Sequence, residues 1–273
     1  MLEENGYKVR VMPHAFDRDE YLAGSDADRA SDLQAAFADP SISAVLCTRG
    51  GYGCARLIPH LDLDAIAASG KMLLGFSDIT TLHAALNRRG LVTIHAPMAF
   101  TLGFEREAWV YESFLAALRG LDSVHFDAPF GQTLVGGSAS GRVVGGCLCL
   151  ITDSIGTPDE VEFQDSLLLI EDVDEAPHRI DAMLTHLLNS GRAERVAGFI
   201  IGEMTRTDDK TDEGIGGKPW IDIVMERLGP LGKPMIVNFP FGHCKQMLSL
   251  PLGIRARLDA DEGSVTYLES ACA

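Results

Sequence analysis

Ser77 stands where a strand is predicted to end and a helix to begin, in the stretch LLGFSDITTLHAAL over 73–86. The backbone N–H groups and the dipole of a helix N-terminus stabilise negative charge that develops on a serine oxygen. This pattern therefore predicts a nucleophile elbow. The alternative is that Ser77 or Asp78 only caps the helix, which the same position favours equally. Ile79 stands where a GxSxG motif has its second glycine, so the sequence does not indicate an α/β-hydrolase.

A serine nucleophile needs a base and a group that orients the base. His243 lies in NFPFGHCKQ, just past a predicted strand and directly after a glycine. Glu171 lies in LLLIEDVDEAPH at the C-terminal end of an apolar strand, where carboxylates of α/β layers commonly face a crevice. The three residues are far apart in the chain. Their contact would require the two halves of the protein to face each other across a cleft.

Each of these residues also has a purely structural interpretation. Glu171 and the neighbouring Asp172 are suited to capping the helix that follows, and His243 is suited to packing inside a loop. Residues of the same types compete for the roles of nucleophile and base, namely Ser154, His95 and His178. Residue types and spacing alone leave these alternatives open.

A predicted strand runs into the glycine-rich turn LCTRGGYG, residues 46–53. Acyl transfer at a serine develops an oxyanion, and each preorganised N–H donor directed at it contributes roughly 3–4 kcal/mol when judged by its deletion. We expect one donor from the backbone of Asp78 and the other from Gly50 or Gly51, because glycine lets the backbone approach closely. The turn has neither GxGxxG spacing nor a following GK[ST], so a phosphate-binding loop is the weaker interpretation.

The first half of the chain alternates short apolar runs with helical patterns, which predicts βαβ units and a mostly parallel sheet. Residues 1–12 are predicted to form the end of a helix and then a strand over 7–12, as if the strand that usually opens such a layer were missing. The other predicted strands of this half cover 44–47, 71–76 and 92–95, and the helices cover 30–38, 54–59, 80–89 and 105–119.

Residues 121–141 contain Pro129 and several glycines but little helical periodicity, which predicts a connection between two domains. We therefore expect an α/β domain over 1–120 that carries the serine, and a smaller mixed α+β domain over 142–273 that carries the glutamate and the histidine. In the second domain, strands are predicted over 167–170, 196–201 and 235–237, helices from 177 and over 219–228, and a terminal hairpin within 247–268.

The composition is that of a compact enzyme-sized α/β protein, with 273 residues and 46% hydrophobic residues. No run of 18 or more apolar residues occurs, and the N-terminus lacks the basic start and apolar core of a signal peptide. We therefore expect a soluble cytoplasmic protein with no membrane association. The net charge of -16 argues against nucleic-acid binding. The six cysteines include no CxxC pair, so we expect reduced, buried thiols.

Five ordered segments together resemble the LD-carboxypeptidases, or muramoyltetrapeptide carboxypeptidases, and the related microcin C self-immunity peptidases. The segments are TRGGYGCARLIPHLD, GFSDITTLHAAL, GGCLCLITDSIGTP, LLLIEDVDEAPHRIDAMLTHL and FGHCKQMLSLPLG, and they span nearly the whole chain. The resemblance implies a flavodoxin-like N-terminal layer joined to a smaller C-terminal domain. It also implies a Ser–Glu–His triad at their junction, with no metal and no other cofactor.

Residue by residue, the resemblance implies that Ser77, Glu171 and His243 are catalytic. It implies a cytoplasmic serine peptidase that removes the terminal D-alanine from murein tetrapeptides in peptidoglycan recycling. Arg49 is a candidate for binding the carboxylate of the substrate, with a structural salt bridge as the alternative, and Tyr52 has no assigned role. Members of this family usually begin with a strand that this chain lacks, and the sheet edge left exposed predicts a homodimer.

Two other functions stay open. An immunity-type amidase acting on aminoacyl-adenylate analogues would need an aromatic surface for a nucleobase, and Trp109 and Trp220 lie away from the five segments. A catalytically silent module that binds peptides or sugars would need no reactive serine. A separation of more than about 4 Å between Ser77 and His243, with no plausible closure, would favour such a module.

Overall fold

The computed structural model describes residues 1–120, 131–212, 214 and 216–271. Within these residues the strands form two sheets, one of four strands and one of seven. In chain order the strands are β1 (Ala44–Leu46), β2 (Met72–Gly75), β3 (Thr93–His95), β4 (Gln132–Val135), β5 (Ser138–Cys147), β6 (Ser166–Val173), β7 (Gly198–Thr205), β8 (Met235–Val237), β9 (Leu250–Leu252), β10 (Arg255–Asp259) and β11 (Ser264–Tyr267).

The four-stranded sheet has the order β1-β2-β3-β9. Strands β1, β2 and β3 are parallel, with Ala44 opposite Met72 and Leu74 opposite Ile94. Strand β9 comes from the C-terminal part of the chain and pairs antiparallel with β3, where Pro251 lies opposite Ile94. Both halves of the sequence therefore contribute to this sheet.

The seven-stranded sheet has the order β11-β10-β5-β6-β7-β8-β4. Strands β5 to β8 run parallel at its centre, while β4 and β10 add antiparallel to either side of them. Strand β6 is buried along nearly its whole length, and a central parallel strand covered on both faces needs such a continuous apolar run.

Helices connect the strands and begin where their sequences provide a start signal. Helix α1 is capped by Ser25, whose hydroxyl accepts a hydrogen bond from the N–H of Asp28. Helix α8 begins with Pro177, because a first-turn residue needs no N–H donor. None of the described helices is long and apolar enough to cross a membrane. The helices are α1 (Asp26–Ala38), α2 (Cys54–Leu57), α3 (Leu63–Ala68), α4 (Thr80–Asn87), α5 (Ala99–Leu102), α6 (Ala108–Leu118), α7 (Leu148–Ser154), α8 (Pro177–Asn189) and α9 (Trp220–Leu228).

The apolar faces of these helices form the cores against the two sheets. Helices α7, α8 and α9 cover one face of the seven-stranded sheet, where Leu184 and Val224 are fully buried. Helix α4 packs on the four-stranded sheet through Leu82 and Leu86, which contact the same core as Leu73 of β2. The carboxyl ends of β2 and β6 emerge from these two cores.

Helix α4 also contacts β5, and this contact joins the two sheets. The N–H of Cys147 donates a hydrogen bond to Oγ1 of Thr80 at 3.1 Å. A Cβ on Gly146 would lie 2.5 Å from the same oxygen, so the close approach requires glycine. Thr80 lies three residues after Ser77, and Cys147 of β5 lies opposite Glu171 of β6 in the parallel pairing. The contact therefore fixes the ends of β2 and β6 relative to each other.

The structure confirms the expected α/β class and the three parallel strands of the first half. The strand predicted over 7–12 is wrong, because these residues follow a short turn at Glu3–Asn5 without joining a sheet. Val9 and Val11, within the predicted strand, are 51% and 57% exposed. The second sheet is also larger than expected, with seven strands against the five predicted for the second domain.

The predicted connection over 121–141 lies only partly within the described residues, which exclude 121–130. Its remainder forms β4 and the start of β5, and these glycine-rich residues are held by pairing with the distant strands β8 and β10. The terminal hairpin is confirmed as β10 and β11, whereas β9 pairs in the other sheet. The division into domains near this connection stays a prediction.

Candidate active site

Ser77 follows β2 in a tight 3-10 turn, Ser77–Ile79, that continues directly into α4. Its φ of +66° lies in the left-handed region, which costs a non-glycine residue on the order of 1–3 kcal/mol. Gly75 permits the turn, since a Cβ there would lie 2.9 Å from Cγ1 of Ile79. The strained turn leaves Ser77 half-buried at the end of the sheet, which is the geometry of a nucleophile elbow.

The structure brings Ser77, His243 and Glu171 together in one hydrogen-bonded line. Oγ of Ser77 lies 3.1 Å from Nε2 of His243, and Nδ1 of His243 lies 2.7 Å from Oε2 of Glu171. The backbone N–H of His243 donates to the same carboxylate oxygen at 3.2 Å. The ring of Phe76 meets the imidazole edge to face, with centroids 4.9 Å apart. Both side-chain separations are within the reach that a nucleophile and its base require.

Two glycines give Glu171 the space to lie beside the His243 loop. The carboxylate is fully buried at the end of β6. A Cβ on Gly242 would lie 2.5 Å from Oε2 of Glu171, and a Cβ on Gly202 would lie 3.2 Å from Cβ of Glu171. Gly242 also has a φ of +93°. The sequence indicated this glycine only as part of a loop, because its contact with Glu171 is made across the fold.

The negative charge of Glu171 controls the protonation of His243. Burial alone lowers the pKa of His243, but the charge of Glu171 and the hydrogen bond that it accepts more than offset this. The pKa of His243 is therefore raised above its ordinary 6.5. A raised pKa makes the imidazole a stronger base, and a proton held on Nδ1 by Glu171 leaves Nε2 free to accept from Ser77.

His95, one of the competing residues, is a core histidine beneath the site. It is fully buried, and its ring centroid lies 5.7 Å from that of Phe76 and 5.4 Å from that of Phe241. Burial lowers the pKa of His95 well below its usual value, so the ring is neutral. The ring of His95 thus packs against Phe76, which in turn contacts His243.

The other two competing residues lie on helices away from the hydrogen-bonded line. Ser154 ends α7 and donates its hydroxyl proton to the carbonyl of Ile151 at 2.7 Å. His178 is exposed in the first turn of α8. The structure thus brings Ser77, and not Ser154, together with a histidine and a carboxylate.

The glycine-rich turn lies directly against Ser77. A Cβ on Gly50 would lie 2.9 Å from Cβ of Ser77 and 3.1 Å from its Oγ. Gly51 is exposed and has a φ of +119°. The N–H groups of Gly50 and Gly51 donate to no backbone carbonyl of the described residues. Both amides are therefore available to an oxygen atom bound next to Ser77.

The carboxylate of Asp78 connects the glycine turn to the elbow. It is buried, and its Oδ2 accepts a hydrogen bond from the N–H of Cys54 at 2.9 Å, at the start of α2. Asp78 therefore caps α2 rather than the helix that follows it, contrary to the capping alternative from sequence. Sequence patterns missed this contact because donor and acceptor lie 24 residues apart.

Arg49 and Tyr52 lie exposed on the same turn. The guanidinium carbon of Arg49 is 6.0 Å from the ring centroid of Phe100, and the ring of Tyr52 is 6.0 Å from that of Tyr21. Arg49 has no carboxylate partner among the residues that the structure describes. The structural salt bridge considered as an alternative for Arg49 is not formed with those residues.

Two family models match the chain. One describes the LD-carboxypeptidase N-terminal domain and matches residues 1–96, and the other describes the C-terminal domain and matches residues 140–258. A putative carboxypeptidase of Streptomyces coelicolor is 44% identical over 262 residues, which cover 94% of this chain and 82% of the relative. The murein tetrapeptide carboxypeptidase of Pseudomonas aeruginosa is 34% identical over 274 residues, which cover 95% of this chain and 86% of the relative.

The fold agrees with a solved structure over almost the whole chain. The muramoyltetrapeptide carboxypeptidase from Oxalobacter formigenes superposes with a TM-score of 0.82 at 27% identity, covering 97% of this chain and 90% of that one. Sequence and fold thus lead to the same family across both sheets. The chain belongs to the LD-carboxypeptidase family and is a carboxypeptidase, a hydrolase.

Proposed function

We propose that this carboxypeptidase is a serine peptidase that cleaves the LD bond to the terminal D-alanine of murein tetrapeptides. The observation that supports the serine chemistry is the hydrogen-bonded line from Ser77 through His243 to Glu171, at 3.1 Å and 2.7 Å. The relative from Pseudomonas aeruginosa, named for murein tetrapeptide, supports the substrate class.

The proposed reaction is acyl transfer to Ser77 followed by hydrolysis. Oγ of Ser77 attacks the carbonyl carbon of the LD bond while Nε2 of His243 takes the hydroxyl proton. Glu171 holds the imidazole in the required tautomer and stabilises the imidazolium. His243 then gives the proton to the amine of the departing D-alanine. A water molecule, activated by the same histidine, releases the acyl group from Ser77.

The backbone N–H groups of Gly50 or Gly51 and of Asp78 are proposed to hold the oxyanion. The contact of Gly50 with Ser77 supports this role, because donors must lie within about 3 Å of the developing charge. Arg49 is proposed to bind the terminal carboxylate of the peptide. An exposed guanidinium without a carboxylate partner among the described residues is suited to that contact.

The exchange of Ser77 for alanine tests the nucleophile. We expect Ser77→Ala to lower kcat on a murein tetrapeptide by roughly 10⁴–10⁶-fold with an unchanged melting temperature. Ser154→Ala is the matched control, because Ser154 is the competing serine and its hydroxyl bonds to the backbone of Ile151 and Val161 and not to a histidine. Full activity in Ser77→Ala, or a comparable loss in Ser154→Ala, would refute the proposed nucleophile.

Mass spectrometry of murein peptides tests the substrate. Incubation with tri-, tetra- and pentapeptides should release one alanine from the tetrapeptide only. Hydrolysis of an aminoacyl sulfamoyl adenosine without release of D-alanine would instead indicate an immunity-type amidase. Trp109 and Trp220, the two tryptophans considered for such an amidase, are both only 6% exposed and present no open face to a nucleobase.

We further propose that the protein acts in the cytoplasm, in peptidoglycan recycling, as a homodimer of two-domain subunits. The open edge of β1 in the described sheet supports self-association, because an unpaired edge can pair with a second copy. Cell fractionation tests the location, and sedimentation of the full chain tests the oligomer. A monomer at micromolar concentration would contradict the dimer.

A further inference from the structure

Two cysteines and an aspartate come together beside Glu171. Cys147 ends β5, Cys149 lies in the first turn of α7, and Asp172 follows Glu171 in β6. Their possible ligand atoms all lie within 4.8 Å of one another, and the two Sγ atoms are 3.4 Å apart. Sequence patterns did not indicate this group, because a Cys-x-Cys pair becomes a three-sided cluster only when the neighbouring strand adds the carboxylate.

These separations suit a tetrahedral metal ion. With Zn–S bonds of about 2.3 Å, two thiolates on a tetrahedral zinc lie about 3.8 Å apart. Sγ of Cys147 and Sγ of Cys149, now at 3.4 Å, need to separate by only a few tenths of an ångström. Two sulfur donors with one carboxylate favour a borderline-soft ion such as Zn²⁺ over Mg²⁺ or Ca²⁺, which prefer oxygen donors alone.

Backbone hydrogen bonds already hold the three residues in place. The carboxylate of Asp172 accepts from the N–H of Cys149 at 2.9 Å and from that of Val173 at 2.8 Å, one bond to each oxygen. Cys147 is fixed by its own N–H, which donates to Thr80. Each carboxylate oxygen keeps a further lone pair, and outer hydrogen bonds of this kind orient metal ligands.

The surroundings of the cluster favour a cation. Asp172 is 2% exposed and follows the fully buried Glu171, whose charged partner is His243. Oε1 of Glu171 is buried without a hydrogen-bond partner among the described residues. A divalent ion would neutralise part of this buried negative charge. Cys149 is only half-buried, so an ion could enter from its side.

We propose that Cys147, Cys149 and Asp172 form a binding site for a thiophilic divalent cation, Zn²⁺ in the cell, with water as a fourth ligand. Two metal–sulfur bonds form as two thiol protons pass to the solvent, and no electron is transferred. The site is separate from the line of Ser77 and His243. Its test therefore does not depend on the proposed peptidase chemistry.

Cadmium titration of the reduced, chelator-treated full chain tests the site. Cd²⁺ is the probe because its bonds to thiolate absorb in the ultraviolet. We expect one Cd²⁺ per chain with this absorption, and calorimetry with Zn²⁺ in two buffers should report the release of about two protons. Binding should raise the melting temperature. Cys149→Ser should weaken binding about 100-fold or more, and Asp172→Asn about tenfold or more.

Cys244→Ser is the matched control, because Cys244 is a half-buried thiol outside the cluster. It should bind Cd²⁺ as the wild type does. Thermal unfolding of each metal-free variant shows whether that variant is folded. If Asp172→Asn does not fold, the binding measured for Cys149→Ser alone tests the site. A wild-type chain that binds no Cd²⁺, unchanged binding in Cys149→Ser, or loss of binding in Cys244→Ser would each overturn the proposal.

Discussion

Gly50 determines how closely the glycine turn approaches Ser77, the proposed nucleophile. Because its φ is not in the left-handed region, space alone requires glycine, and a Cβ would lie 2.9 Å from Cβ of Ser77. A contact between two Cβ atoms at that distance is too short, so either the turn or Ser77 would have to shift. A shift of Ser77 would disturb the distance of 3.1 Å between its Oγ and Nε2 of His243. The activity should therefore be more sensitive to this position than the stability.

We expect Gly50→Ala to lower kcat about 10²-fold, since a displaced Oγ loses alignment with both the base and the oxyanion donors. Steady-state kinetics on a murein tetrapeptide, with a melting curve of the same sample, measure the effect. Gly103→Ala is the control, because Gly103 is exposed with a φ of −76° and its Cβ would come no closer than 3.4 Å to another atom. Wild-type kcat in Gly50→Ala would contradict the assignment of the turn.

The pairing of Glu171 with His243 predicts a pH effect. A general base must be neutral, so kcat/KM should fall as the pH drops below the pKa of His243, which lies above 6.5. Glu171→Gln removes the charge that stabilises the imidazolium, while burial still lowers the pKa. The acid limb of the pH profile should therefore move to lower pH, with kcat reduced on the order of 10³–10⁴-fold.

The pH profiles of wild type, Glu171→Gln and Glu162→Gln check this expectation. Glu162 is an exposed carboxylate paired with Arg88, so its exchange should leave the acid limb and kcat unchanged. An acid limb that stays in place or moves to higher pH in Glu171→Gln would show that Glu171 does not set the pKa of His243.

Among the elements, the short helix α2 and the elbow are joined through one buried hydrogen bond. Oδ2 of Asp78 accepts it from the N–H of Cys54, directly after the glycine turn. Asp78→Ala leaves a buried N–H unsatisfied, which should cost about 1–3 kcal/mol in the free energy of unfolding. The turn that carries Gly50 would also lose its anchor, so kcat should fall together with stability.

Asp78→Asn is the matched variant, because an amide oxygen can still accept from Cys54. Urea unfolding and kcat of both variants should show a smaller effect for asparagine in each measurement. If alanine and asparagine are equally stable and equally active, the hydrogen bond to Cys54 does not hold the turn.

Strand ends were predictable where a polar residue interrupts an apolar run. Strand β2 ends before Ser77 and β6 carries Glu171 at its end, both as the sequence predicts. Strand β9 (Leu250–Leu252) was not predictable as a partner of β3, because the two strands are distant in sequence. The pairing depends on tertiary structure, which no local pattern encodes.

The candidate site was predictable by residue type but not by contact. Their positions at strand ends made Ser77, Glu171 and His243 candidates for the site. Preferring Ser77 to Ser154 and His243 to His95 required the family resemblance or the structure. The contact of Gly242 with Glu171 and the bond from Cys54 to Asp78 are formed across the fold. Such contacts depend on the distances between elements, which a single sequence does not give.

At the scale of the whole molecule, the candidate active site lies where the two sheets join. Ser77 follows the four-stranded sheet, and Glu171 belongs to the seven-stranded sheet. His243 lies between β8 and β9, on the segment that passes from one sheet to the other. The distances of 3.1 Å and 2.7 Å in the hydrogen-bonded line therefore depend on how the sheets are held together. The contact between Thr80 and Cys147 holds them close to the site.

Gly146→Ala tests this dependence. Its Cβ would lie 2.5 Å from Oγ1 of Thr80 at a φ of +141°, so we expect a loss of about 2–4 kcal/mol in the free energy of unfolding and a clear fall in kcat. Gly156→Ala shares a positive φ, +86°, but its Cβ would meet no atom within 4 Å, so it should cost about 1 kcal/mol and leave kcat unchanged. Melting curves and kcat of both variants separate backbone strain from the clash. Wild-type kcat in a destabilised Gly146→Ala would mean that Ser77, His243 and Glu171 stay aligned without this contact between the sheets.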